Sequence, residues 1–300
     1  MDLGIVFALS IESGCFVDTL RRVRVTRGDG FVARQGRRGN REIVIVEAGP
    51  GPPRAAKATQ AMIDAYRPRL TVSAGFAGGL DLRARRQDLV VATSLRNAAG
   101  DEIAIDASAI PSWLDEVPRL HRCRLLSWDR VVRLREEKQE LGREHDALAV
   151  DMESFAVAEV CRQRAVDFLA VRAISDAVDD ELPPDIGRLL AQRSLAGQVG
   201  AALGSILRRP AAVKDLFRLH QNALASSARL RDVLETLVQR FFLRANPVDT
   251  YCWCDAMNVI LCQYNAQTKV FHVRNLCNGN EWTTLHRART NQTRRKAGDR

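Results

Sequence analysis

The stretch AVDMESFAVAEV, residues 149–160, sets two carboxylates, Asp151 and Glu153, on either side of Met152 at the mouth of an otherwise apolar helix. Other polar sites follow apolar runs. Glu12 comes after LGIVFAL, and Ser175 with Asp176 after FLAVRAI. The segment GFAGGL, which contains Ala77 and Gly78, follows a third run. A carboxyl group in an apolar setting can keep its proton near neutral pH, and a second in a more polar setting can take one. Such a set could supply both a general acid and a general base. Each residue also has a plain structural reading. Asp151 and Glu153 could satisfy free N–H groups in the first helical turn and complement the helix dipole. Glu12 could be another first-turn acid, GFAGGL a tight strand-to-helix turn, and Asp176 a helix cap. The chemistry therefore depends on whether the fold brings these residues together.

Short apolar runs at 3–9, 43–47, 70–73, 88–93, 124–127 and 168–174 predict buried strands. Helical patterns at 55–66, ended by Pro68, and at 151–164 lie between them. This alternation predicts an α/β domain, a three-layer αβα sandwich with a central mixed, largely parallel sheet. In open α/β sheets, ligands bind beyond the carboxyl ends of the strands. If the strands before Glu12, Gly78 and Asp176 are parallel neighbours, those residues converge on one edge, and Met152 and Glu153 join them from the helix start. From Ile186 to Phe242 the pattern is helical, with Leu189 to Leu207 in one segment, a break at Pro210, and Leu216 to Leu237 in the next. Composition changes near Asn246, where asparagine and cysteine become frequent and neither helical nor alternating periodicity persists. The chain is read as a domain over 1–245 and a C-terminal appendage over 246–300, without an expected core of its own.

The 300 residues, 46% of them hydrophobic and 27% charged, are ordinary for a globular protein, and no run approaches the roughly 20 apolar residues of a membrane span. The N-terminus lacks a basic stretch of the kind that opens a signal peptide, so a cytoplasmic, non-membrane protein is expected. A net charge of +9 invites a nucleic-acid reading. Much of that charge is the run of arginines from Arg21 to Arg41, which has only Phe31 as an aromatic for stacking bases. A solvated hairpin face is the preferred reading, and nucleic acid the minor alternative. The odd cysteine count predicts reduced thiols, with Cys15, Cys123 and Cys161 as small hydrophobes. In the tail, Cys252, Cys254, Cys262, Cys277 and His272 do not have the spacing of a zinc site. No metal and no cofactor are expected.

Taken together, GIVFALSIES, SAGFAGGL, AVDMES and VRAISDAVDD resemble the nucleoside phosphorylase and nucleosidase superfamily, and most closely its 5′-methylthioadenosine/S-adenosylhomocysteine nucleosidases. The motifs stand in the family's order and cover about residues 3–240. The resemblance implies cleavage of an N-glycosidic bond in a purine nucleoside or 5′-thionucleoside. Asp176 would protonate the departing purine on its five-membered ring, with burial keeping the acid protonated, and Ser175 would orient it. Glu12 would position and deprotonate the attacking water. Glu153 would accept hydrogen bonds from the ribose hydroxyls, and Met152 would pack against the sugar. Arg172 would be the cation beside the nucleophile, Ala77 and Gly78 would line the substrate, and Asp151 would only cap its helix. The family implies a homo-oligomer, a dimer or trimer. Two departures stand out. Phe76 occupies a position that is often small and polar, and in LLSWDRVV, the segment that should supply the base-stacking aromatic, Trp128 is the only one. A phosphorylase is the alternative within the fold, and a non-catalytic nucleoside or nucleic-acid binding protein the alternative outside it.

Overall fold

In the computed structural model, the described residues are 1–107, 109–184, 186 and 212–240, with 248–255, 258–265, 270–275 and 283–285. The expected helix over Leu189–Leu207 lies outside them. Two units divide at Val238 and Gln239.

In the first unit, β1 (Leu3–Phe7) is buried at every residue, as its unbroken apolar run requires. It lies between two parallel neighbours, β4 (Arg41–Glu47) and β5 (Leu70–Gly79). On the far side of β4, β3 (Val32–Arg38) and β2 (Arg21–Arg27) continue the sheet antiparallel. β2 is exposed along its whole length, so the arginine run forms a solvated edge hairpin. On the other side, β6 (Leu89–Asn97), β7 (Glu102–Ala104), β8 (Leu120–Ser127), β9 (Ala149–Asp151) and β10 (Asp167–Asp176) complete the sheet.

The α/β class with a mixed sheet is as expected. Two details of the sheet differ. Parallel and antiparallel pairings are about evenly represented, so the sheet is mixed rather than largely parallel. It also closes on itself. The order β10-β6-β8-β9-β5 returns to β10, because β5 pairs with β10 as well as with β1 and β9. This also corrects the reading of GFAGGL: residues 75–79 are not a turn but the second half of β5, held by β10 on one edge and β9 on the other.

Helix α1 (Ser10–Val17) follows β1 directly, and α2 (Pro52–Tyr66) follows β4 with prolines in its first turn. α3 (Arg135–Glu144) precedes β9, and α4 (Ser154–Gln163) joins β9 to β10. Met62 and Ile63 of α2 pack with Val157, Val160 and Cys161 of α4 over Val6, Val44 and Val46 of the sheet. Burial of each large aliphatic there contributes roughly 1.5–3 kcal/mol. Helix α5 (Ala212–Arg240) buries Leu230, Val233, Leu234, Leu237 and Val238, an apolar stripe at helical spacing. Among the described residues, no helix is long and apolar enough to cross a membrane.

The second unit, Gln239–Arg300, contains β11 (Val248–Asp255), β12 (Asn258–Asn265), β13 (Val270–Asn275) and β14 (Thr283–Leu285). Each pairs antiparallel with the next in the chain. The sequence of this segment shows neither helical nor alternating periodicity. Pairing between sequence neighbours organises it instead.

Candidate active site

β1, β4, β5 and β10 run parallel, so their carboxyl ends share one edge. Glu12 stands there in the first turn of α1. Its Oε2 accepts the N–H groups of Leu9 at 2.8 Å and Ala8 at 3.0 Å, the return bond of an acid at the third helical position. Its Oε1 reaches across to β5 and accepts the Phe76 N–H at 2.9 Å. The capping role and the placement at the strand edge therefore coexist in one side chain. Close approach to β5 requires a glycine there, since a Cβ on Gly75 would lie 2.8 Å from Oε1. Burial raises the Glu12 carboxyl above its ordinary range, against the opposing pull of the Phe76 amide, Arg172 and the Leu9 and Ala8 amides.

Arg172 lies opposite Gly75 in the β5–β10 register, and a Cβ on Gly75 would be 3.2 Å from its Nη1. It is buried, and three of its five donors go to side chains. Nε bonds Asp151 at 2.7 Å, and Nη2 bonds Ser73 at 2.8 Å and Ser154 at 2.9 Å. Asp151 is therefore more than a cap. It accepts the Ser154 N–H at 3.1 Å as a cap would, and it also bonds Ser127 at 2.6 Å and neutralises Arg172. Oδ2 serves both the cap and Arg172, and Oδ1 holds Ser127. Glu153, just beyond, accepts the Gly51 N–H at 2.8 Å from the loop before α2. Burial, then the like charge of Asp151, pushes its carboxyl up to about 8, with Arg172 pulling the other way.

The chain then bulges between Ile174 and Asp176, which re-aims the side chains that follow. Asp176 is buried and lies against Gly78, where a Cβ would be 3.1 Å from Oδ2. Ser175 Oγ donates to Asp176 Oδ1 at 2.7 Å and lies 3.4 Å from the Ala77 carbonyl oxygen. The surroundings of Asp176 are polar as well as buried. Its Oδ2 accepts a 2.5 Å bond from Lys138 Nζ. Sequence reasoning missed Lys138. Its position in α3 three residues before Leu141, the other buried residue of that helix, was the available signal.

Met152 lines a cavity of about 740 Å³ with Trp128, Phe155, Pro52, Asn97 and Glu102. Trp128 also packs on His145, ring centroids 5.5 Å apart, and on Leu126, Leu141 and Val150. A larger depression, about 1090 Å³, is lined by Arg83, Arg122, Arg124 and Arg143 and includes none of these carboxylates.

Residues 3–203 match the Phosphorylase superfamily. The chain belongs to that superfamily. A curated relative is 5′-methylthioadenosine/S-adenosylhomocysteine nucleosidase of Exiguobacterium sp., 28% identical over 207 residues, which are 60% of this chain and 87% of the relative. Solved structures share the fold. The 5′-methylthioadenosine/S-adenosylhomocysteine nucleosidase of Neisseria meningitidis, in complex with methylthio-immucillin-A, superposes with a TM-score of 0.63 at 19% identity, covering 79% of this chain and 98% of that one. A futalosine hydrolase mutant of Helicobacter pylori gives 0.60 at 21% identity, with 79% and 100% covered. Within this phosphorylase-superfamily fold, Glu12, Arg172, Asp151 and Glu153 form one charge cluster, and Ser175 and Asp176 lie farther along the same β5–β10 pair.

Proposed function

We propose that this chain is a nucleosidase, which hydrolyses the N-glycosidic bond of a purine nucleoside or 5′-thionucleoside. Asp176 gives its proton to the five-membered ring of the leaving purine, with Ser175 fixing the carboxyl plane. The C1′–N bond breaks with its electron pair passing to the purine. Glu12 takes a proton from the water that attacks the anomeric carbon. Glu153 accepts the ribose hydroxyls, Met152 meets the sugar, and the β5 backbone at Ala77 and Gly78 flanks the base. The cavity beside Met152, Trp128 and Phe155 gives room for the rest of the substrate. The nucleosidase names among the relatives support this reading.

One observation favours water over phosphate as the nucleophile. A phosphate site needs free N–H groups and uncommitted cations. Here the amides of Ala8, Leu9 and Phe76 already point at Glu12, and Arg172 is committed to Asp151, Ser73 and Ser154. A carboxylate in that cradle repels an anion and suits a water. The test incubates the protein with 5′-methylthioadenosine and other purine nucleosides, with and without inorganic phosphate. Free sugar at a phosphate-independent rate is expected. A phosphate-dependent rate yielding a sugar 1-phosphate would make the chain a phosphorylase.

A further inference from the structure

Lys138 is the feature that the proposed chemistry does not yet use. It comes from α3, is completely buried, and spends each of its three donors on the segment that carries Asp176. Nζ bonds Asp176 Oδ2 at 2.5 Å, the Asp180 carbonyl at 2.7 Å and the Ala177 carbonyl at 3.0 Å. The Asp180 carboxylate closes the same turn through the Ala177 N–H at 2.8 Å and is paired with Arg86 from the β5–β6 connection. The charged groups around Asp176 are thus Lys138 from α3, and Asp180 with Arg86 from its own turn and from the loop after β5. Arg172 stands farther back on β10, with Glu12 of α1 and Glu153 before α4 in its charge cluster.

Burying an ammonium is costly, and a lysine placed only to hold a turn could be replaced by neutral donors. What only a cation supplies is charge. We infer that Lys138 is a positioning residue for the leaving-group step: it fixes the Asp176 carboxyl beneath the purine and balances the negative charge left when Asp176 gives up its proton. This rests on the nucleosidase reading. In the balanced step the proton leaves Asp176 for a purine ring nitrogen, and the glycosidic electron pair passes to the purine. The water proton goes to Glu12, and before the next turnover Glu12 releases it to solvent while solvent returns a proton to Asp176. Lys138 keeps its proton throughout. Its charge meets an acid–ammonium pair before transfer and a carboxylate–ammonium pair after it, so its attraction is greatest on the product side and lowers the barrier between them.

The experiment compares Lys138→Met and Lys138→Gln with wild type on two substrates across pH 5–9. One is a purine nucleoside that the wild type cleaves. The other is p-nitrophenyl β-D-riboside, whose leaving group departs without protonation. Gln keeps two N–H donors without the charge, and carries the test if Met does not fold. Lys138→Arg restores charge. The expected result is a loss of tenfold or more in kcat/KM on the purine nucleoside for the neutral variants. The alkaline limb of the pH profile should move to higher pH. The p-nitrophenyl riboside should change less than threefold, and Arg should recover part of the loss. Neutral variants whose purine pH profile superposes on wild type, or that lose equally on both substrates, would reduce Lys138 to a structural clamp. A wild type that cleaves no purine nucleoside fails the nucleosidase reading instead, which separates the two failures.

Discussion

Glu153→Gln should make this protein more stable at alkaline pH, by an amount that follows from its surroundings. The Gly51 N–H can donate to the Gln oxygen as it does to Glu153, so the replacement removes mainly the charge. The wild-type carboxyl moves from 4.5 to about 8 on folding, chiefly through burial and then through Asp151. Between those values the folded chain keeps a proton that the unfolded chain has lost. Stability must therefore fall as pH rises through that window and level off above it. At about 1.4 kcal/mol for each tenfold change in proton affinity, the full window is worth roughly 5 kcal/mol. Glu153→Gln removes this decline. Depressed carboxyls such as Asp88 contribute with the opposite sign, but they are present in both proteins and cancel in the difference. Melting curves from pH 5 to 9 should start together near pH 5 and diverge in the variant's favour. Even half of the full value corresponds to several degrees for a chain of this size. Parallel curves would show that Glu153 ionises normally in the folded state and would refute the description of its surroundings. Activity should move the opposite way above about pH 8, where the ionised Glu153 offers two acceptor oxygens to the ribose hydroxyls and Gln only one.

Gly75→Ala should lower kcat/KM by about a hundredfold, since a Cβ 2.8 Å from Glu12 Oε1 must displace the carboxyl, and misplacement of about 1 Å is worth that much. Wild-type kcat/KM in a folded variant would contradict a catalytic Glu12. Asp176→Asn keeps the size of the acid but not its proton, and should cost 10²–10⁴-fold in turnover by typical general-acid contributions, roughly, with melting little changed. Near-normal cleavage of a purine nucleoside would remove Asp176 from the mechanism. Truncation after Phe242 should leave melting temperature and kcat nearly unchanged, because Met1–Val238 forms a unit with its own core. A large drop in either would assign the C-terminal unit a role in the first.

The strands were legible because burial on both faces leaves little freedom of residue type. β1 is apolar at every position, and so is the centre of β4. The edge hairpin was legible for the opposite reason, since only a solvated strand tolerates that density of arginine. Closure of the sheet was not legible. It turns on β9, three residues long, which a sequence pattern cannot distinguish from a helix approach. The site divides in the same way. Glu12, Glu153 and Asp176 stand out as acids after apolar runs. The pairing of Asp151 with Arg172 and the ammonium of Lys138 lie inside the core, where a charged residue has no periodic signature of its own. Lysine in a short polar helix reads as solvated until the helix's inward face is known.

Helix α5 gives the site a position in time as well as in space. Ser227 Oγ donates to the Glu12 carbonyl and Ser226 Oγ to the Ile174 carbonyl, both at 3.2 Å and both from buried side chains. The first of these bonds joins residues 215 apart in the chain. During synthesis at roughly 5–20 residues per second, the segment bearing Glu12 waits about 10–40 s for the serine that pins its backbone. Over that interval the nascent chain can pair its early strands, but the edge that carries Glu12 is unfinished. Activity should therefore arrive late and abruptly on the ribosome, with the emergence of α5 rather than of Asp176.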